Sequence, residues 1–559
     1  MRILVVSSRL TEGRRAALTR LAAAEGEPVL VPATGLEPSV HGDRPQAVLL
    51  DGPLEPASPE VAGRLEAWIE AGTSLVALGT ATAAGPSGDW VDVLWATAQP
   101  AVPPGEVYAR VAEPGHPLVA RVDGEFPVVD VFQPLSPAHD AMGPLLQVTY
   151  RFCNQGAVLA GERGHGLVVV SGLGNTDAAL AVPALATVLR RALRGRDRLR
   201  PAGRPLGLGI VGYGRFGRMG LLHGTAAGAV SGLELVAACD SDAGRRKAAE
   251  QDFPGIRVHE SVEQLAADGD VDVAMVATPP VAHLSVVATL LRAGKHVACE
   301  KPLCFSVAEA DRLFALARQH DRMLTVHQSR RWDRDFRAVR RAVDEGVLGE
   351  VFNTETFVGS FEHPCRAWHS EAAVSGGLAY DWGAHHVDWI LLLMGSVPAS
   401  VSAIGHKRVW HDVTNLDQLR VRMRWDDGRE AEYLASDVAA VRQPKFYVQG
   451  TAGTLVGHYR PVVFDRIDPA RGYVSEAAHH AEAPAALTVA RYRGGSGGLE
   501  ETSLPLAPDV PFAFHRNLAD HLHLGEPLAV EPQSVREVVA VLEAATRSAA
   551  EGGRPVDFR

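Results

Sequence analysis

At 559 residues the chain is too long for a single hydrophobic core, and about three or four domains are expected. Apolar residues at 46% and charged residues at 22% are ordinary for a globular protein, and a net charge of −11 gives no basic footprint for nucleic acid. No run reaches the ~18 consecutive apolar residues that a membrane span needs, and MRILVVSSRL is too short and lacks the cleavage site of a signal peptide, so a cytoplasmic chain is the expectation.

Five cysteines (Cys153, Cys239, Cys299, Cys304, Cys365) are scattered and show no CxxC spacing, which argues against a disulfide framework or a cysteine zinc site. Residues 1–196 alternate strands and helices. ILVVS is a strand, 14–26 an alanine-rich helix, and PVLVPA and AVLLDG are further strands. A helix over 61–71, strands SLVALG and GLVVVSGLG, and a helix over 178–193 complete the series. That alternation predicts a mostly parallel sheet with helices on both faces. The stretches AWIEAGTSLVALG, GHPLVARV and RGHGLVVVSGLGNTD, in that order, resemble the ThuA-like (trehalose-utilisation) branch of the class I glutamine-amidotransferase fold. The resemblance implies a flavodoxin-like α/β/α domain. An amidotransferase needs a cysteine on its strand–helix elbow, activated by a histidine. The corresponding turn, Gly79-Thr80-Ala81-Thr82, has neither cysteine nor serine, so glutamine hydrolysis is not expected. His116, Asp130 and His139 are polar residues with no assigned role.

The charged stretch RGRDRLRPAGR has no apolar periodicity, and 197–204 reads as a linker. From 205 to 327 the pattern is that of a dinucleotide-binding Rossmann domain. The strand LGIV runs into Gly212-Tyr213-Gly214-Arg215-Phe216-Gly217, a GxGxxG turn. Its first glycine permits the tight turn, its second a close approach of pyrophosphate, and its third close packing of the following helix, whose unpaired N–H groups face the phosphates. The next strand ends on Asp240, where a carboxylate accepts hydrogen bonds from an adenosine ribose diol and repels a 2′-phosphate. Ser241 follows where a cation would suit NADP, so NAD is expected rather than NADP. The strand over 271–278 ends in Thr278-Pro279-Pro280, a helix carries His283, and HVACE leads into Glu300-Lys301-Pro302. Thr278, Pro279, His283, Glu300 and Lys301 are therefore placed with the cofactor, at the carboxyl edge of the sheet where ligands lie in such folds.

Residues 328–559 read as an α+β domain. Stretches 401–409, 418–425, 429–436 and 445–450 alternate apolar and polar residues, as strands of an open antiparallel sheet do. Residues 466–512, rich in Ala, Gly and Pro, read as a surface excursion. Within DWGAHHVDW, Asp381 and His385 are spaced i,i+4, and Asp388 lies three further on the same helical side. Histidine titrates near neutrality and suits a general base, which makes His385 the candidate. A metal on His385, His386 and Asp388 is not expected, because adjacent helical residues diverge by about 100°.

The motifs GIVGYGRFG, VATPPVAH, AGKHVACEKPL, HQSRRWDRDF, EGVLGEV and GGLAYDWGAHHVDWI occur in one order. Together they resemble the family of glucose–fructose oxidoreductase, inositol dehydrogenase and the rhizopine-catabolism protein (Gfo/Idh/MocA), over residues 205–559. The resemblance implies that Lys301 positions a substrate hydroxyl and stabilises a developing alkoxide, with Asp381 and His385 completing the catalytic trio. It also implies a homo-oligomer, dimer or tetramer, through the C-terminal sheet. Arg331, Trp332 and Trp368 join Asp381 and His385 as candidate substrate contacts. The implied reaction is hydride transfer between NAD and a secondary alcohol of a sugar, glycoside or cyclitol, with C3 of a pyranoside suggested by relatives of the two halves. Two alternatives compete: a redox-neutral glycosidase or epimerase holding NAD tightly, and a non-enzymatic dinucleotide sensor. The joint presence of Lys301, Asp381 and His385 speaks against the sensor.

Overall fold

The computed structural model describes residues 2–39, 42–55, 57–79, 89–113, 116–120, 122, 124–150, 152–195, 204–214, 218–230, 232–468, 472–479, 483–492, 497–507 and 509–558. Residues 80–82 of the expected elbow, most of the linker, and Arg215, Phe216 and Gly217 of the glycine-rich turn lie outside them. The chain forms two compact units, Met1–Gly203 with Leu522–Pro527, and Arg204–His521 with Leu528–Arg559.

The first unit is built on an eleven-stranded sheet. Five parallel strands run in the order Glu27–Pro32, Arg2–Ser7, Ala47–Asp51, Ser74–Leu78 and Gly166–Ser171, which is 2-1-3-4-5 when counted along the chain. Three of these strands, AVLLD, SLVAL and GLVVVS, are buried at every residue, as parallel strands covered on both faces must be. Helices Glu12–Ala23 and Pro183–Arg194 cover one face, and Pro59–Glu70 and Asp89–Leu94 the other. The expectation of a mostly parallel sheet is corrected here. Beyond Gly166–Ser171 the sheet continues antiparallel through Cys153–Arg163, Met142–Tyr150, Gly105–Val111 and Glu125–Asp130. The last of these alternates exposed and buried residues, the mark of a strand with one wet face. The final helix also divides, into Asp177–Leu180 and Pro183–Arg194, because Pro183 lacks the N–H that a continuous helix requires and is suited to a first turn. The three unassigned polar residues serve local structure. Asp130 accepts from the N–H groups of Gly174, Asn175 and Thr176, His116 caps Leu118, and His139 stacks on Trp95.

The second unit begins with six parallel strands. Their order is Arg257–His259, Leu233–Cys239, Leu206–Val211, Val273–Val276, His296–Cys299 and Leu324–Val326, the 3-2-1-4-5-6 arrangement of a dinucleotide-binding sheet. Gly212 turns the chain off the central strand with φ +96°, and a Cβ there would sit 2.8 Å from the Ala277 carbonyl, so only glycine fits. A nine-stranded sheet follows. It is antiparallel throughout except where Val351–Gly359 pairs in parallel with Glu430–Ser436. Within the stretch read as a surface excursion, Ala486–Tyr492 and Leu499–Leu504 extend this sheet at one edge. The glycine-rich sequence between them hides their alternation.

One face of the large sheet packs on helices Gly383–Met394 and Pro532–Ala550. The second of these serves two cores. Its Val535 and Val539 are buried with the parallel sheet, while Val538, Val541, Leu542 and Ala545 are buried with the antiparallel one. Two sides of one 19-residue helix thus hold both halves of the unit in register. Among the described residues no helix is long and apolar enough to cross a membrane.

Candidate active site

The parallel strands all end at one edge, and the turns leaving it build two adjoining hollows. The first is a groove of about 650 Å³ whose walls include Gly212, Gly214, Asp240, Ser241, Arg245 and Thr278. A Cβ on Gly214 would meet no atom within 4 Å among the described residues, so the space beside it is left for a ligand. Asp240 braces the turn, accepting from Tyr213 N through Oδ2 and from Asp242 N through Oδ1, both at 2.9 Å. Thr278 Oγ1 is buried without a hydrogen-bond partner among the described residues, on a wall shared with the second hollow. An open glycine turn, a carboxylate at the end of the second strand and an orphaned hydroxyl fit a bound dinucleotide.

The second hollow, about 270 Å³, shares Met219, Ala277, Thr278 and Trp368 with the groove. Three expected residues meet in it. Lys301 follows the strand His296–Cys299, and Asp381 and His385 stand at the start of helix Gly383–Met394. Lys301 Nζ donates to Asp381 Oδ1 at 2.7 Å and to the Asp381 carbonyl at 2.8 Å. Burial pushes the Asp381 carboxyl up, but the charge and hydrogen bond of Lys301 prevail and hold it below the usual carboxylate range.

His385 is oriented by a residue that the sequence did not single out. Gln328 Nε2 donates to the Ala384 carbonyl at 3.0 Å, which fixes the amide so that Oε1 faces the imidazole. His385 Nδ1 then donates to that oxygen at 3.1 Å, leaving Nε2 as the lone pair of the neutral ring. Burial, then the nearby Lys301 and Arg330 cations, push His385 well below the ordinary histidine range. At neutral pH the ring is an unprotonated base.

Glu300 lines the same hollow, with its carboxylate held in a cage of imidazoles. Its Oε1 accepts from His327 Nδ1 at 2.8 Å and from His223 Nε2 at 3.1 Å, and its Oε2 accepts from the Lys301 backbone N–H at 3.2 Å. His223 Nδ1 in turn meets His515 Nε2 at 2.9 Å. Burial alone would raise this carboxyl; the charge on His327 and the imidazole hydrogen bonds carry it well below the usual range. Ring nitrogens of His223, His327 and His515 lie within 4.8 Å of one another. Glu300 thus supports the backbone under Lys301. His327 and Gln328 directly follow the strand Leu324–Val326, so the rule that places ligands at strand carboxyl ends would have found them; nothing in the sequence announces His515, which arrives from a distant helix.

Several expected contacts fall elsewhere. Arg331 does not face the hollow: it pairs with Asp388 at 2.5 and 2.7 Å, and their side chains are only 9% and 3% exposed. Asp388 consequently leaves the Asp381–His385 side, and Asp381 itself precedes the helix. Trp332 packs edge-on to Phe514 and joins the core beside the parallel sheet. Both ring nitrogens of the fully buried His283 face backbone carbonyls, those of Pro302 and Thr278, so it ties two turns together and touches neither hollow. The Tyr213 side chain turns inward to Asp252. His386, 1% exposed, packs against Trp389 and Tyr433. Trp368 lines both hollows and stacks on His369 at 3.6 Å. Pro279 lines the groove.

A Rossmann sheet with a glycine-bounded groove thus opens beside a lysine, an acid and a neutral imidazole. Residues 206–328 match the oxidoreductase family with NAD-binding Rossmann fold, and residues 336–456 match the GFO/IDH/MocA C-terminal domain. This part of the chain belongs to the Gfo/Idh/MocA oxidoreductase family. It is 30% identical over 210 residues to an uncharacterized oxidoreductase of Schizosaccharomyces pombe, covering 36% of this chain but 57% of that relative's length. It is 24% identical over 347 residues to scyllo-inositol 2-dehydrogenase (NADP(+)) IolW of Bacillus subtilis, covering 62% of this chain and 94% of the relative. The crystal structure of an NAD-binding protein from Listeria innocua matches with 28% identity and a TM-score of 0.54, over 63% of this chain and 97% of that one.

The Arg331–Asp388 pair separates a structural from a substrate-binding role. Arg331→Ala leaves a buried carboxylate unpaired and is expected to cost about 3–5 kcal/mol in urea unfolding, with KM for substrate changed little. A large rise in KM without loss of stability would restore Arg331 to the substrate.

Proposed function

We propose that the chain oxidises a secondary alcohol of a sugar, glycoside or cyclitol with NAD. The observation that carries this reading is the meeting of Lys301 and Asp381 with a neutral, pre-oriented His385 in a hollow that shares a wall with the dinucleotide groove. The substrate hydroxyl would lie between Lys301 Nζ and His385 Nε2. His385 takes the O–H proton, and Lys301 stabilises the oxygen as negative charge develops on it. Asp381 holds the ammonium in place and accepts from a neighbouring hydroxyl. When bound, the nicotinamide supplies the acceptor for the hydride leaving the same carbon, so the alcohol becomes a ketone with one hydride and one proton removed. The backbone of Gly212 and Gly214, Asp240, Thr278 and Pro279 would hold the cofactor.

The N-terminal unit we read as ThuA-like. Support comes from its 2-1-3-4-5 parallel strand order, and the turn Gly79-Thr80-Ala81-Thr82 carries neither cysteine nor serine for amidotransfer. Assembly through the uncovered face of the nine-stranded sheet, which exposes Ile404 at 53%, belongs to the same proposal. So does a pyranoside C3 as the oxidised carbon.

The direct test incubates the protein with a panel of sugars, glycosides and inositols and NAD or NADP, following absorbance of the reduced nicotinamide. Oxidation of a polyol, lost about hundredfold or more in Lys301→Met, supports the reading; turnover of a glycoside without net reduction of the cofactor would instead favour the redox-neutral alternative. The pH profile tests His385. A base must be unprotonated, and its value is depressed, so kcat/KM should stay level as pH falls through about 6.5 and decline only below it. Lys301→Met removes one of the two cations that depress it, so the acid limb should move to higher pH in that variant. Asp240 sets the third expectation. NAD should be preferred over NADP, and Asp240→Ala should weaken kcat/KM for NAD by about tenfold or more while narrowing the preference.

A further inference from the structure

The hollow that holds Lys301 has a neighbour with which it shares a residue. Trp382 lines both it and a second chamber of about 250 Å³, whose other walls include Glu362, Asp437, Arg442 and Tyr459. Two of the charged groups there lack partners. The Asp437 carboxyl is half-buried and has no hydrogen-bond partner among the described residues, and the Arg442 guanidinium has no carboxylate partner among them. Burial, then the charges of Asp381 and Asp417, push Asp437 up to about 6, which places it within electrostatic reach of the catalytic acid.

The walls are also fixed before any ligand arrives. Tyr459 donates its hydroxyl to the Phe357 carbonyl at 2.7 Å, and Arg442 lies 5.6 Å over its ring. The Trp382 indole has the Arg330 guanidinium 5.6 Å from its ring centre and is edge-on to His385 and His386. A hollow with a held aromatic face and several convergent polar groups is built for a small polar ring. A half-buried carboxylate and a guanidinium without partners cost free energy, and a ligand that both donates and accepts hydrogen bonds would recover it. Two carboxylates against one guanidinium disfavour a phosphate or a uronate. Neutral hydroxyls, which donate to Asp437 and Glu362 and accept from Arg442, match the set.

We propose that this chamber is a subsite for a second sugar ring, held by Trp382, Asp437 and Arg442, so that the alcohol oxidised beside His385 belongs to a glycoside of at least two rings. The inference rests on the oxidoreductase reading given above and names its substrate class. Methyl glycosides would fill the catalytic hollow alone, whereas a disaccharide fills both.

The test compares methyl α-D-glucopyranoside with maltose, and methyl β-D-glucopyranoside with cellobiose, on the full chain with NAD. For the linkage that is accepted, kcat/KM for the disaccharide is expected to exceed that of the methyl glycoside by about tenfold or more, and Asp437→Asn and Arg442→Ala should each lower that ratio by about tenfold. Two variants are used so that misfolding of one does not decide the matter. Equal kcat/KM for the two substrates, or a ratio that neither variant changes, would overturn the subsite. If none of the four is oxidised, the dehydrogenase reading fails for glucosides, and the subsite is judged by saturation-transfer NMR on the same disaccharides. Saturation on both rings that is lost in Arg442→Ala upholds it; saturation on one ring only, or none, overturns it.

Discussion

The hydrogen-bonded ion pair between Lys301 and Asp381 is the interaction on which the site depends. Its partners come from opposite halves of the second unit, one from the end of a parallel strand, the other from the turn before a helix that packs on the antiparallel sheet. A pair 2.7 Å apart cannot be maintained across two domains that rock independently. Helix Pro532–Ala550, buried in both cores, removes that freedom. A packing feature far from the chemistry thus sets the distance between its two charged groups. The pair also settles the electrostatics around it. Asp381 is kept ionised by Lys301, and Lys301, with burial and Arg330, keeps His385 neutral.

Glu300 and Lys301 are neighbours that line one hollow with different partners, and each needs the other's environment. The carboxylate lies among His223, His327 and His515, where burial would be costly without hydrogen bonds. Those bonds anchor the strand end, and the Lys301 backbone N–H is tied to the same carboxylate. The ammonium can then reach Asp381 from a fixed backbone. A mobile lysine would lose rotamer entropy on meeting a substrate; one already bonded to the Asp381 carboxylate and carbonyl has lost most of it beforehand.

The sequence showed most where local chemistry and fold coincide. Gly212 reads as a turn glycine because nothing larger fits, and the structure gives the same reason in the Ala277 carbonyl 2.8 Å from where its Cβ would be. Lys301, Asp381 and His385 were legible because their motifs occur in order along the chain. Polar residues whose partners lie far away in sequence were not. Arg331 looked like a substrate contact until Asp388 closed on it, and His283 looked like a cofactor contact although two carbonyls hold its ring. Arginine and histidine advertise binding chemistry, yet the same donors serve equally well to satisfy buried acceptors, and one-dimensional spacing cannot tell which acceptor they will meet. Gln328 was missed for the opposite reason: an amide advertises no reactivity, and its value lies only in the direction it imposes on another ring. In the first unit, the antiparallel strands from 105 to 163 escaped notice because a parallel core was already accounted for by the apolar runs on either side of them.

The state of His385 sets the form in which the proposed base waits. A base held well below its ordinary value is weak, so it cannot by itself pull a proton from an alcohol whose own acidity is slight. Lys301 removes the difficulty by stabilising the alkoxide, and the charge of Lys301 is already balanced by Asp381, so a new negative charge on the substrate is not simply replacing a missing counter-ion. The same cation that weakens the base strengthens the acid it must deprotonate. Reduction of a ketone would require the reverse, a protonated imidazole ready to give its proton up, and burial beside two cations makes that form scarce at neutral pH. With Gln328 fixing the tautomer so that the lone pair faces outward from Nδ1–H, the empty hand of the imidazole is extended toward the substrate hydroxyl, and the resting site is set for removing a proton along with a hydride.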